Sequence, residues 1–278
     1  MPELPEVERG RRIAEGAALG RRITSLRCAR DNRVFREHST RCFRHALLGA
    51  TVVAVNRWGK QLWFELDRTP HPLFHFGMTG AFHVRGVTPL QLKAGPVEEP
   101  CRWPPRFAKL RLGFEDDGEL VLVDARRFAR VLLRDSPRSE TPLCRLGFDP
   151  LHDLPAPAVF TAAIRARRAT LKSVLLDQTF VAGIGNWLAD EIAFQSRINP
   201  RRPACNLTVA ECKRIRKTLK HVVETAVLKN ADDTQYPIAW LFHHRWGRTH
   251  GARTSKGDPI EFTEVAGRTT AWVPQRQR

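Results

Sequence analysis

Apolar positions recur with two different periods along this chain, and the change of period divides it. Over residues 5–18, Val7, Gly10, Ala14, Ala17 and Ala18 fall on one face at helical spacing, with Glu8, Arg9, Arg11, Arg12 and Glu15 opposite. A face of such small side chains predicts a helix lying close on a sheet. From about 23 to 134 the period shortens. Residues 23–29, 51–57, 62–66, 73–84, 109–115 and 120–133 read as strands rich in Val, Leu, Phe and Trp, parted by turn residues. Asp116-Asp117-Gly118 is a hairpin signal. The pattern predicts a β-sandwich with the first helix packed on it. Residues 88–105, with several prolines, read as an excursion loop.

Five prolines between 135 and 157 mark a linker. Helical periodicity follows at 158–168, 171–177 and 187–197. Thr208 and Glu211 form the S/T-x-x-E signature that opens a further helix running to about Lys229. The last 40 residues return to short strands around Gly257-Asp258 and Gly267. The class is therefore α+β, divided as 1–136, a linker at 137–157, a helical domain at 158–235, and a β-hairpin with a tail at 236–278.

Charge narrows the partners. Among 278 residues there are 46 Lys and Arg against 29 Asp and Glu, a net +17 spread along the whole chain. Such an excess predicts binding to a polyanion with strong salt dependence. Nucleic acid is the simplest partner, and ribosome-associated proteins share this balance. No apolar run approaches the ~20 residues that cross a bilayer. The N-terminus carries Glu3, Glu6 and Glu8 and lacks the apolar stretch of a secretory signal. Six cysteines are scattered without a C-x-x-C pair, and none follows Cys212. They read as reduced thiols of an intracellular protein.

Several short stretches admit chemistry. In Met1-Pro2-Glu3-Leu4-Pro5-Glu6, loss of Met1 exposes a secondary amine at Pro2. An α-amino group titrates near ~8, well below lysine at ~10.4, so part of it is nucleophilic at neutral pH. Attack on an aldehyde-level carbon gives an iminium ion, an electron sink without a cofactor. Glu3 stands beside it for proton transfer. The plainer reading is a helix start, with Pro5 in the first turn and Glu6 and Glu8 at the positive end. Gly183-Ile184-Gly185-Asn186 before a helix suits a phosphate or is a plain turn. Arg57-Trp58-Gly59-Lys60 places a lysine at a strand edge. In His75-Phe76-Gly77-Met78-Thr79-Gly80 the glycines mark a bend, with Met78 outward or in the core. Asp124-Ala125-Arg126-Arg127-Phe128 joins arginines to an aromatic ring, as a side-chain wedge in a duplex needs and as a basic strand also shows.

These stretches, in this order, resemble the Fpg/Nei family of DNA glycosylases, and its formamidopyrimidine-DNA glycosylase branch in particular. The likeness runs from Met1 through 57–60, 75–80, 124–128 and 175–191. It implies a β-sandwich joined to a helix–two-turns–helix domain, with DNA in the cleft between. It implies that Pro2 attacks C1′ of a damaged nucleotide, that Glu3 is general acid and base, and that Lys60 and Arg268 hold the flanking phosphates. Asn186 and Gly185 are implied at a further phosphate. Met78, Arg126 and Phe128 are implied to fill the duplex, and Glu6 to orient the everted base. His75, Arg106 and Lys172 are implied at the DNA. The expected partner is double-stranded DNA with oxidised bases or abasic sites, bound by a monomer with no cofactor and no membrane. The expected place is wherever DNA lies: nucleus or organelle in a eukaryote, cytoplasm or nucleoid in a bacterium.

The chain departs from many members in its tail. Those close with a four-cysteine zinc finger, whereas here His243, His244 and His250 stand without cysteines and make a poor metal site. Gly267-Arg268-Thr269-Thr270 sits where the finger's arginine would. The tail resembles the plant and fungal branch, and implies a zincless finger packed by Phe262, Trp272 and Val273. The stretch 230–246 is shorter than the lesion-capping loop of bacterial members. Ring-opened purines and hydantoins are therefore expected as better substrates, with 8-oxoguanine a further candidate. A non-catalytic DNA-binding relative is the competing expectation.

Overall fold

The structure is a computed structural model that describes residues 2–90 and 102–278. The fate of Met1 and the middle of the expected excursion loop lie outside the described residues. The chain divides into two units, Met1–Arg145 and Leu146–Arg278, so the stretch 137–157 is shared between them.

The first unit opens with α1 (Leu4–Ala18), which buries the small face read from the sequence: Val7, Gly10, Ala14, Ala17 and Ala18. Gly10 is required there, because a Cβ would lie 2.5 Å from the Phe76 ring. Among the described residues eight strands follow: β1 (Ile23–Cys28), β2 (Val52–Trp58), β3 (Gln61–Leu66), β4 (His71–His75), β5 (Ala81–Val84), β6 (Ala108–Phe114), β7 (Glu119–Val123) and β8 (Arg130–Arg134). They form two antiparallel sheets, in the orders β1-β6-β7-β5 and β2-β3-β4-β8. Phe64, Phe74 and Phe82 meet in the core with centroids 4.9 to 5.9 Å apart. Each such ring contributes roughly 1.5–3 kcal/mol by leaving water. An eight-residue helix, α2 (Thr40–Leu47), was not legible as one. It is capped by Ser39, whose hydroxyl accepts from the Cys42 N–H, and it buries Phe43, Ala46 and Leu47.

The two longest expected strands are each two strands. Residues 73–84 break into β4 and β5, and 120–133 into β7 and β8, with the halves in opposite sheets. The breaks are the motifs around Met78 and around Arg126–Phe128. Gly77 takes φ 64° and Arg127 φ 59°, values that end a strand.

The second unit holds α3 (Pro157–Arg165), α4 (Leu171–Leu176), α5 (Asn186–Gln195) and α6 (Val209–Leu228). Thr208 and Glu211 make the anticipated capping box at α6. A hairpin follows, β9 (Glu261–Val265) and β10 (Arg268–Trp272). Its two-residue turn, Ala266-Gly267, has both φ values positive, at 53° and 65°, as a type I′ turn demands. The hairpin core is Ala271 and Val273 with Ile260, Leu241 and Phe194. Phe262 is only partly buried against it, and Trp272 is half-buried. Residues 236–246 form a ring cluster in which Phe242 packs edge-on against Trp187, Tyr236 and Trp246. Among the described residues no helix is long and apolar enough to cross a membrane.

Candidate active site

The N-terminus of α1 is built around two carboxylates. Glu3 is the N-cap, 3% exposed, and its side chain accepts the Glu6 backbone N–H. Glu6 returns the bond, accepting the Glu3 N–H at 3.0 Å. The reciprocal box fixes the chain direction at Pro2, which is buried. Burial and the adjacent Glu3 charge raise the Glu6 carboxyl to about 7. The positive end of the helix favours the negative charge on Glu3. The helix-start reading of this stretch is seen directly, and the carboxylate expected to transfer a proton, Glu3, is the helix cap.

A buried ion pair links α1 to the turn that carries Lys60. Arg57, 3% exposed, donates through Nε to Glu8 at 2.9 Å and through a terminal nitrogen to the Gly59 carbonyl at 3.0 Å. Gly59, at φ 58°, makes the β2–β3 turn, and Lys60 is its second residue. His75 is paired with Gln61 across β3 and β4 and with Arg130 across β4 and β8. Burial and the charges of Lys60 and Arg130 press His75 down to about 4, so it is neutral at pH 7. Its Nδ1 accepts the Gly77 N–H at 3.1 Å, which leaves the proton on Nε2.

The two breaks between the sheets are joined by Asp124, fully buried. It accepts from the Thr79 hydroxyl at 2.6 Å, from the Arg126 N–H at 3.1 Å and from the Ala129 N–H at 2.6 Å. Gly77 closes the junction, since a Cβ there would lie 2.4 Å from the Phe128 carbonyl. Met78 is half-buried, while Arg126 and Phe128 stand exposed, with the guanidinium 5.4 Å from the ring centroid. Phe128 is 50% exposed, which no core role explains. Behind them Arg127 and Lys109 grip Asp31 at 2.8 and 3.0 Å. Against the upward push of burial, those hydrogen bonds hold Asp31 well below the usual carboxylate range. Arg106 is exposed beside Phe107.

The second unit carries its own cluster. Gln178 organises the Gly183–Asn186 loop, accepting the Gly183 N–H at 3.0 Å and donating to the Ile184 carbonyl at 2.8 Å. Gly185 caps α5 and Asn186 is its first residue, donating to the Thr269 carbonyl at 3.0 Å. That bond joins the start of α5 to the hairpin bearing Arg268. Arg268 is exposed directly after the turn and, among the described residues, is paired with no carboxylate. Lys172, expected at the DNA, is 0% exposed. Its ammonium is spent on Asp190, the Thr269 carbonyl and the Thr270 hydroxyl, so it holds the hairpin from inside. Asp190 and Asp31 were not singled out in the sequence. Asp190-Glu191 does leave a trace, as two adjacent acids in an otherwise apolar helix.

Cysteine is missing from the hairpin, and among the described residues no group of three or more His, Cys, Asp or Glu is placed to hold a metal. The donor set does not fit a zinc finger.

Residues 1–131 match the profile of the formamidopyrimidine-DNA glycosylase N-terminal domain, and residues 146–237 that of its H2TH domain. The chain belongs to the formamidopyrimidine-DNA glycosylase family. A formamidopyrimidine-DNA glycosylase of Arabidopsis thaliana is 40% identical over all of this chain and 71% of its own length. One from Geobacillus kaustophilus is 32% identical over the full length of both. Among solved structures, the Lactococcus lactis glycosylase bound to abasic-site DNA superposes with a TM-score of 0.81 at 25% identity, over 99% of each chain. Its complex with FAPY-dG-containing DNA gives 0.80. The protein is thus a DNA glycosylase of base excision repair, and the +17 charge has its partner in DNA.

Proposed function

We propose that this glycosylase is bifunctional, removing a damaged base and then cleaving the strand through a Schiff base on Pro2. The amine of Pro2, freed by loss of Met1, attacks C1′ and the base departs with a proton. The resulting iminium acidifies the C2′ proton. Its removal expels the 3′ phosphate by β-elimination, and a second elimination expels the 5′ phosphate, leaving a one-nucleotide gap with phosphate at both ends. Glu3 moves the proton at the sugar. Lys60 and Arg268 offset the charge of the leaving phosphates, and Asn186 with the N-terminus of α5 binds a further one. Met78, Arg126 and Phe128 occupy the space of the everted nucleotide, with Arg126 facing the orphaned base.

The observation that carries this reading is the join between Pro2 and Lys60. The helix that begins at Pro2–Glu3 is bonded through Glu8 and Arg57 to the turn that presents Lys60. A protein that only bound DNA would not need the buried Glu8–Arg57 pair to tie the helix behind Pro2 to the turn carrying Lys60.

For substrate, we infer ring-opened and oxidised purines. Where bacterial members have a capping loop, this chain has the ring cluster of Tyr236, Trp240 and Phe242 packed on Trp187. That favours formamidopyrimidines and hydantoins over 8-oxoguanine. We infer also that β9–β10 serves as the finger without metal.

Intact mass spectrometry with borohydride trapping tests the chemistry. Protein lacking Met1 is expected to form a covalent adduct with an abasic-site duplex, and protein that retains Met1 is expected to form none. A processed protein that binds the duplex and yields no adduct overturns the proposal. Excision measured on formamidopyrimidine, hydantoin, 8-oxoguanine and thymine glycol duplexes tests the substrate; thymine glycol as the best of the four would overturn the purine preference.

A further inference from the structure

Among the described residues, the hairpin that carries Arg268 has one edge with no strand beside it. β10 pairs with β9 along one side only. In an antiparallel strand, alternate residues turn their backbone groups to the same edge, so Thr269 and Ala271 face away from β9 together. Side chains fill that open edge. The Thr269 carbonyl accepts from Lys172 at 3.1 Å and from Asn186 at 3.0 Å. The Ala271 N–H donates to Asp190 at 3.1 Å. Arg248 donates to the Thr269 hydroxyl.

Asp190 lies at the centre of this arrangement. One carboxylate oxygen accepts from Lys172 at 2.6 Å. The other accepts from Arg245 at 2.7 Å and from the Ala271 N–H. Asp190 and Lys172 are both 0% exposed, and Arg245 is 8% exposed. A carboxylate so placed is costly unless every lone pair is used, and here two cations and a backbone donor use them. The charges come from three separate places, α4, α5 and the stretch before the hairpin, and they converge on the strand that begins with Arg268.

We propose that Asp190 is a positioning residue for the reaction: its carboxylate, bonded to Lys172, Arg245 and the Ala271 N–H, stands in for a bound metal as the anchor that fixes Arg268 for its phosphate. This rests on the reading of Arg268 as a phosphate ligand. The geometry supports it in a particular way. A hairpin of two five-residue strands is marginal by itself. Its buried apolar set is small, so a rigid Arg268 needs another constraint. The Asp190 bond to Ala271 acts three residues from Arg268, its partner Lys172 bonds Thr269 and Thr270 one and two residues away, and the Thr270 hydroxyl donates on to the Arg268 carbonyl at 3.2 Å.

The test is a mutant cycle on the full chain, using duplex DNA with an uncleavable tetrahydrofuran abasic analogue and an abasic-site duplex for trapping. The variants are Arg268→Ala, Asp190→Asn and the pair together. Arg245→Met serves as a milder second route to the same anchor should Asp190→Asn fail to fold. If Arg268 neutralises one phosphate, Arg268→Ala lowers the slope of log affinity against log salt by about 0.9. Asp190→Asn is expected to lower it by a similar amount and to slow trapping to a similar degree. The double variant is expected to be no worse than either single one, because both remove the same contact. Melting is followed in parallel, and binding is measured well below each variant's midpoint. A residue serving stability alone would lower the midpoint yet leave the loss from Arg268→Ala undiminished in the Asp190→Asn or Arg245→Met background; that additive result overturns the inference. An unchanged slope in Arg268→Ala itself overturns the phosphate reading, and the inference with it.

Discussion

Arg57 donates to Glu8 at 2.9 Å across the gap between the first helix and the sheet, with its side chain fully buried. The pair ties the helix that follows Pro2 to the turn that carries Lys60, the proposed nucleophile and phosphate ligand. Glu8→Ala strands a buried guanidinium and is expected to cost about 3–5 kcal/mol of stability. Thermal and denaturant melts read that loss directly. Arg57→Lys keeps the charge but cannot serve Glu8 and Gly59 from one planar fork. It is expected to melt closer to the parent while trapping falls further; a melt and a trapping rate that drop in proportion would count against the positioning role.

The raised Glu6 carboxyl has a consequence for pH. Its folded value, about 7, lies above the ordinary value of 4.5, so the folded state holds a proton that the unfolded state has lost in between. That contribution to stability is complete below about 4.5 and disappears as pH rises through about 7. Glu191, buried beneath the Phe242 N–H, is likewise raised to about 7 and acts in the same sense. His75 and His83, both pressed to about 4, act oppositely, and their contribution is lost as pH falls from 6.5 towards 4. Glu6→Gln is therefore expected to gain stability relative to the parent as pH goes from 4.5 to 7. Melting curves across that window check it, and a difference that stays flat refutes it.

Gly77 cannot become alanine without moving the Phe128 backbone, and its φ of 64° disfavours any side chain. Gly77→Ala is expected to destabilise by about 1–3 kcal/mol. Its effect on binding a duplex with an abasic analogue should exceed its effect on trapping a single-stranded abasic substrate, which has no gap to fill. Asp124→Ala, which strands two backbone N–H groups and the Thr79 hydroxyl, should show the same split with a larger loss of stability.

Arg126, proposed to face the orphaned base, is exposed, while Arg127 beside it is tied to Asp31. Arg126→Ala is expected to relax discrimination between cytosine and adenine opposite the lesion. A good arginine–base contact contributes about 1–3 kcal/mol of preference. Excision rates opposite the two bases measure it. Arg127→Ala is expected to weaken activity opposite both bases alike, by loosening the loop; a change in base preference from Arg127→Ala would exchange the two roles.

Much of this was legible in the residues. The small face of α1, the Thr208–Glu211 cap and the strand content follow from local periodicity and turn chemistry, which need no partner to be read. The ordered motifs around Pro2, Lys60, Met78, Arg126, Asn186 and Arg268 pointed to one family because their residue types and sequence are specific together. Three features were not legible. The strands at 73–84 and 120–133 read as continuous because a local bend, such as the one Gly77 and Gly80 mark, does not say that the chain leaves one sheet for the other. Lys172 read as a DNA contact because a lysine in a basic protein gives no local sign of being buried. The short helix α2 depends on burying Phe43, Ala46 and Leu47, which only the finished core permits.

The sequence by itself determined which chemical groups are present: a proline after Met1 with a neighbouring carboxylate, a large excess of cations, a methionine, arginines and a phenylalanine at two breaks between strands, and a hairpin without thiolates. It determined as well the local elements that carry them, since capping, periodicity and turn residues act over a few positions. Only the tertiary structure decided which of those groups hold the others in place. Glu8 with Arg57, Asp124 between the two loops, and Asp190 beneath β10 act over tens of residues of sequence. Their worth comes from burial, which turns an ordinary carboxylate into one that must be fully bonded, and burial is a property of the packed chain alone.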